Sequence, residues 1–319
     1  MSEIIINGMS FAMPLFIIAI GGIYSERSGV TNLALEGFQG AGAFCGALFA
    51  VLTAGFFSTT STAPVHLSML IAMLGGGIYA ALYALLCIKF KANQVISGVV
   101  INILALALTD FLTSQINTSV FHQSSDRFIL AVAPRVTIPG LSAIPVIGGF
   151  FTNFYTFEIL IIVAAVIAWY LLYKTRFGMR LRACGDNPYA VDAAGCNVAS
   201  IQYKAVILSG VLSGLGGMCF AYYIFGSFSS SVFVGYGYLA ISAMIFGNWK
   251  IPATLGACLI FGFARSAGYV LVRHLGFPST YSDLIMILPY VLTLLLLIFF
   301  SKNNRAPRAL GEIYDKGKR

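Results

Sequence analysis

The most specific local chemistry in the chain lies in one hydrophilic stretch, RLRACGDNPYAVDAAGCNVASIQYK at 180–204. Asp186 or Asn187 can cap a helix whose first position is Pro188, where a missing N–H costs nothing. Tyr189, Ala190, Val191, Asp192, Ala193 and Ala194 continue it, and Gly195 supplies a C′ stop after Gly185 and Asp186 have led in. The product is a capped helix of about two turns flanked by basic residues. Such a helix is marginal alone in water, but its small face of Ala190, Ala193 and Ala194 suits close docking into a groove on a partner. The plainer reading is a connector between two apolar segments. Covalent chemistry has no residue set to carry it: HExxH, GxSG and GxGD are absent. The six cysteines (Cys45, Cys87, Cys184, Cys196, Cys219 and Cys258) are scattered without a CxxC pair, so neither a disulfide framework nor a metal site is expected.

A second group of polar residues stands inside long apolar runs, where each is costly and therefore a functional candidate. Asn32 and Glu36 fall in a Gly-rich run, Asn102 and Asp110 in another, and Arg265 in a third. Glu36 is the sharpest. It either lines a pathway or pairs with another buried group to lock helix packing. Asp110 lies near the outer end of its run and is expected to be solvated, while Arg265 is expected to meet a carboxylate or to snorkel to the interface. Eight aromatics crowd residues 220–238, among them Phe220, Tyr222, Tyr223, Phe225, Phe228, Phe233, Tyr236 and Tyr238. An interfacial belt is their ordinary role. The alternative is that some of them, with Tyr222, Phe225 and Tyr236 as candidates, stack on a planar cargo at the mouth of a pathway.

The elements that must position these residues follow from solvent physics. Of 319 residues, 59% are hydrophobic and 9% charged, too few charges to cover a soluble domain of this length. In lipid every backbone polar group must be satisfied within the protein, and long continuous apolar runs meet that demand as helices. The expected fold class is all-α, a polytopic transmembrane bundle of about nine spans (range 8–10): roughly 4–24, 30–54, 65–90, 94–115, 154–173, 205–227, 236–249, 254–272 and 283–300. The net charge of +8 does not indicate nucleic acid, because the basic residues cluster in short loops and at the C-terminus. Placing Lys174 to Lys204 and the tail after Phe300 in the cytoplasm leaves the N-terminus outside and the C-terminus inside. Residues 1–300 thus form the transmembrane domain, with a cytoplasmic loop at 174–204, an external loop at 116–153 and a short, basic, solvated tail at 301–319. The N-terminus MSEIIINGMS has no basic n-region, so the first segment is expected to stay in the mature protein.

One span is anomalous. Residues 236–249 rise only about 21 Å against a hydrocarbon core of about 30 Å. Short, Gly-interrupted segments are where transporters place substrate paths; a misplaced boundary is the plainer explanation. A faint internal echo links AMLGGGIYAALYA (72–84) to SGLGGMCFAYYIF (213–225), in segments expected to run in opposite directions.

The stretch GDNPYAVDAAGCNV resembles the coupling-loop signature of ABC importer permeases of the branched-chain amino acid, ribose and nucleoside type. GVTNLALEGFQGAGAF (29–44), NQVISGVVINILALALTDFL (93–112) and GYGYLAISAMIFGNWKIPATLGACLIFGFA (235–264) agree in order, and the tail APRALGEIYDKGKR (306–319) resembles the simple-sugar and nucleoside subgroup. The resemblance implies that the loop helix sits in a cleft of an ATPase and transmits its motion. It also implies a second permease subunit (homologous or identical), an external binding protein and a bacterial plasma-membrane location, with nucleosides first and simple sugars second as cargo. The chain has no GxxxxGK[ST]: its one Gly-Lys is Gly317–Lys318, followed by Arg319. No cofactor is therefore expected on this chain, and ATP and Mg belong to the partner. A secondary transporter or channel is the physical rival.

Overall fold

Each long apolar run closes its own hydrogen bonds as a helix, and the connections between runs are short. The computed structural model describes residues 2–56, 62–140, 152–274 and 305–316, with Ser142, Ile287, Tyr290, Val291, Leu295 and Ile298 besides. In chain order the helices are α1 (Ser2–Arg27), α2 (Leu35–Thr53), α3 (Ala63–Ala84), α4 (Gln94–Ser119), α5 (Thr156–Lys174), α6 (Arg176–Asp186), α7 (Pro188–Ala193), α8 (Val198–Phe220), α9 (Tyr236–Phe246) and α10 (Ile251–His274). Seven of these, α1 to α5, α8 and α10, are long and apolar enough to cross a membrane. The expected ninth span at 283–300 and the apolar stretch Leu141–Phe151 lie outside the described residues, apart from the isolated positions just named.

Three boundaries differ from the sequence reading. The second span begins at Leu35, and residues 28–34 are irregular backbone. The stretch 174–204 is mostly helical: α6 and α7 fill it, and α8 begins at Val198. The tail is no free solvated segment, since residues 305–316 return to the protein with Pro307 and Ala309 buried.

Asparagines start the helices at the loop-helix end. Asn93 accepts from the N–H groups of Val95 and Ile96, Asn187 from Ala190, and Asn197 from Ser200. Each supplies an acceptor to an N–H that the helix cannot satisfy itself. Helix α8 is the hub, packed against α1, α2 and α3 and buried over most of its length. Its contact with α3 is antiparallel, Ala72 meeting Gly214 and Ala80 meeting Gly210. Without a hydrophobic drive between helices in lipid, such a pair depends on close backbone approach. The Gly-rich echo between the two segments follows from this shared contact. At the end of the bundle opposite α7, Glu3 pairs with Arg273, and two-residue strands tie the loops: β1 (Phe128–Ile129) pairs with β4 (Ser227–Phe228), and β2 (Arg135–Val136) with β3 (Phe154–Tyr155).

A Cβ at Gly214 would lie 2.2 Å from the Ala72 carbonyl oxygen, a rigid backbone atom. Gly214→Val is therefore expected to push α3 from α8 and cost about 1–3 kcal/mol or more, read as a lowered melting temperature in detergent. A melting curve that overlays the wild type would contradict this packing.

Candidate functional site: two helices that begin inside the bundle

Helices α2 and α9 both start partway along neighbouring helices. Gly37 lies against Asn102, eight residues and so about 12 Å into α4. At the other end of α9's approach, Tyr236 packs on Phe11 with ring centroids 5.6 Å apart, nine residues and so about 14 Å into α1. Residues 28–34, which lead into α2, are irregular, and residues 226–235, which lead into α9, hold only the two-residue strand β4 and a short 3-10 turn at Ser230–Phe233. Irregular backbone at this depth persists only where protein satisfies it, and 28–34 is satisfied almost group by group. The Gln202 amide donates to the Ser28 carbonyl (3.3 Å), Ser25 Oγ to Val30 (3.0 Å) and the Tyr83 hydroxyl to Thr31 (2.5 Å), while Thr31 N–H donates to Gln94 Oε1 (2.7 Å).

The start of α2 is held by nearby Asn32 and by remote Asn102, and the start of α9 by Glu36, remote in sequence. Asn102 Oδ1 accepts from Gly37 N–H (2.7 Å), and its Nδ2 donates to the Leu33 carbonyl (2.7 Å) and the Tyr238 hydroxyl (3.1 Å). Asn32 Oδ1 accepts from Ala34 N–H (3.0 Å), and its amide donates to Ser209 Oγ on α8 (2.9 Å). Glu36 Oε2 accepts from Gly235 N–H at 2.9 Å, and the N–H groups of Gly237 and Tyr238 also face the carboxylate. A carboxylate at a helix N-terminus meets both the unpaired donors and the positive end of the dipole. Of the two roles open to Glu36, the structure displays the packing one: it locks the start of α9.

Of the sequence candidates, Asn32, Glu36, Asn102 and Tyr236 thus converge on one junction. Asn32 is not on the same helix as Glu36, as the 30–54 span had implied; it lies in the irregular approach. Tyr222 stands apart, its hydroxyl 2.9 Å from Ser68 Oγ on α3, and the side chain of Phe225 lies outside the described residues. The aromatic run divides, with Phe220, Tyr222, Phe228 and Phe233 buried and Tyr238 exposed. Phe228 and Phe233 are buried because the 226–235 segment folds inward, where Phe228 stacks near Phe128 and Phe233 and the Phe233 ring presses on Gly40. Among the described residues Arg265 meets aromatic rings: its guanidinium lies 4.2 Å from the centroid of Phe11 and 5.6 Å from those of Tyr236 and Tyr269, a cation–π cage. Asp110 accepts from Ser230 Oγ (2.7 Å) at an exposed position.

Between α6 and α8, α7 forms the short helix expected from 188–194, one residue shorter. Asn187, and not Asp186, is its cap; Asp186 ends α6, with Gly185 buried beside it. Pro188 and Val191 face inward, whereas Ala190, Ala193 and Ala194 are all exposed. Gly195 has φ +79° with open space around its α-carbon, as a C′ residue should.

Sequence reading passed over two buried carboxylates. Glu26 accepts from Trp249 Nε1 at 2.6 Å, and neighbouring Arg27 donates twice to the Trp249 carbonyl, so the pair pins the turn between α9 and α10. Glu158 accepts from Ser10 Oγ at 2.7 Å. Both stand at helix ends, where a charge reads as solvated unless the tertiary partner is known. Among the described residues no cluster of three or more His, Cys, Asp or Glu could hold a metal ion.

Glu36→Ala would orphan the N–H groups at the start of α9 and is expected to cost about 1–3 kcal/mol per unpaired donor. Glu36→Gln keeps one acceptor oxygen and should fall between the two. Melting temperatures of the three proteins in nanodiscs check the order; an alanine variant as stable as wild type would remove Glu36 from the junction.

The family model described as branched-chain amino acid transport system / permease component matches residues 4–299. The chain is 39% identical to the guanosine ABC transporter permease NupQ of Bacillus subtilis, over 100% of this chain and 98% of the relative. It is also 39% identical to the nucleoside ABC transporter permease NupC of Lactococcus lactis, covering 99% and 97%. The putative glucose ABC transporter permease TsgC13 of Haloferax volcanii is 30% identical over 79% of this chain and 72% of its own length. No solved structure matches the chain. With its seven long apolar helices and a family match across nearly its whole length, the chain belongs to the branched-chain amino acid transport system permease family, as a multi-pass membrane component of ABC transport.

Proposed function

We propose that this chain is the membrane-spanning subunit of an ATP-driven nucleoside importer of a bacterial plasma membrane. The observation that carries this reading is end-to-end similarity to two nucleoside-type permeases at 39% identity. The sugar reading stands second, on the Haloferax relative. The chain has no phosphate-cradling loop, so ATP and Mg act on a separate ABC ATPase and this chain binds no cofactor. An extracytoplasmic binding protein delivers cargo. A second permease subunit, homologous or identical, completes the pair, because two ATPase subunits require two coupling loops.

In this reading α7 docks in the ATPase groove through Ala190, Ala193 and Ala194, between the caps at Asn187 and Gly195, with Gly185, Asp186 and Pro188 forming its entry. The junction of α2 and α9 lies on the cargo path, since helices broken within the membrane are where transporters place their sites. When it opens, Asn32, Glu36 and Asn102 present acceptors and donors to the hydroxyls and base of a nucleoside, with Tyr236 beside them; Tyr222 and Phe225 belong to the outer approach. The topology is nine spans with the N-terminus outside and the C-terminus in the cytoplasm.

Uptake of labelled guanosine by the assembled transporter in proteoliposomes, with ATP inside, tests the cargo and the energy source together. ATP-independent uptake would favour a channel. Gly195→Val forces a β-branched residue into positive φ at a strain of about 1–3 kcal/mol, and Ala193→Trp blocks close approach. Both are expected to leave abundance unchanged and abolish cargo-stimulated ATPase activity, whereas normal transport by both would make the loop a mere connector. Natural cysteines report the topology. Burial pushes the Cys184 thiol up to about 12, so it stays unreactive, while half-buried Cys196 beside α7 can react. An impermeant maleimide should modify Cys196 from the cytoplasmic side alone; labelling of intact cells there would invert the orientation.

A further inference from the structure

The resemblance to a coupling loop gives α7 a role but no rigid mounting. A six-residue helix cannot hold its own position, and only Pro188 and Val191 of α7 are buried. A cavity of about 600 Å³ opens beside it, lined by Asp192 and Asn197 on one side, Lys91 on another, and Glu312 and Tyr314 of the tail.

The tail crosses that gap. Arg305 N–H donates to Asn248 Oδ1 (2.9 Å), Ala309 N–H to the Gly185 carbonyl (2.8 Å) and Gly311 N–H to the Gly29 carbonyl (3.0 Å). The approach is backbone on backbone: a Cβ at Gly29 would lie 3.4 Å from the Ala309 carbonyl oxygen. Beyond this stitched segment, the Tyr314 ring lies 5.3 Å from the ring of Tyr189 on α7, Lys316 reaches Asp192 at 3.9 Å, and Asp315 pairs with Lys91 at 2.7 Å. One short segment therefore touches the loop helix, the α3–α4 turn, the α9–α10 turn and the irregular 28–34 stretch.

We propose that the C-terminal tail is a strap that positions α7, making helix and tail one composite docking surface for the ATPase and joining that surface to the 28–34 stretch that leads to α2. The proposal rests on the ATPase reading above. Gly29, where the strap attaches, is three residues from Asn32, so displacement of α7 bears on the start of α2 without passing through α8. The ion pairs are exposed and contribute little individually; the buried Ala309 and its backbone bonds carry the attachment.

The test uses the assembled transporter in proteoliposomes and measures nucleoside transported per ATP hydrolysed. Ala309→Trp keeps the tail but cannot fit between Gly29 and Gly185. It should leave the melting temperature near wild type and lower the transport ratio about tenfold, within the usual range of a coupling free energy between sites. In a cysteine-free background, Tyr189→Cys with Tyr314→Cys cross-links strap to helix, and the oxidised protein should transport like its reduced form because the two move together. An unchanged ratio for Ala309→Trp, or transport abolished by the cross-link, overturns the strap while leaving the importer intact. Absence of cargo-stimulated hydrolysis in the wild-type complex overturns both readings.

Discussion

The architecture depends on satisfying two helix N-termini that begin inside the bundle. The first N–H groups of a helix have no partner in their own helix, and lipid offers none. Neither α2 nor α9 carries a side-chain cap of its own. Each borrows: α2 takes acceptors from Asn32 and Asn102, and α9 takes the carboxylate of Glu36, itself in the first turn of α2. The result is reciprocal. The start of α2 holds the start of α9, and Asn102 fastens both through Leu33, Gly37 and Tyr238.

That arrangement accounts for the eleven-residue α9. A helix of this length cannot span a bilayer core alone, and the 226–235 segment packs inward ahead of it. The aromatic residues there serve as core, with Phe228 and Phe233 filling the space over α2. The junction is closed by a few carboxylate and amide hydrogen bonds. In the proposed mechanism these part during transport, and the tail, attached at Gly29, bears on the 28–34 stretch from its other end.

What the sequence made legible was governed by range. The loop helix could be read from Asn187, Pro188 and Gly195 because capping is local chemistry, decided within four residues. Membrane class and long helices were equally legible, since 59% hydrophobic content leaves few alternatives. Glu36 stood out as a costly buried charge, but its partner lies 199 residues away and donates from the backbone, which no residue type announces. The start of α2 was misplaced because VTNLA carries no strong helix breaker, and the irregular conformation there is imposed by Tyr83, Gln94 and Gln202. Arg265 was expected to meet a carboxylate or to snorkel; among the described residues, rings from Phe11, Tyr236 and Tyr269 surround its guanidinium, a contact that no residue type announces. The tail looked solvated because its composition is polar, while its attachment runs through backbone groups and one small alanine.

The central claim is that the α2–α9 junction is the element that parts during transport. Hydrogen–deuterium exchange of the assembled transporter measures it directly, with and without a non-hydrolysable ATP analogue and cargo. The account predicts slow exchange at Gly37 and at residues 235–238 in the resting complex, where Asn102 and Glu36 hold those N–H groups, and faster exchange at the same positions once nucleotide is bound. Equal protection in both states, with exchange changing elsewhere in the bundle, would contradict it.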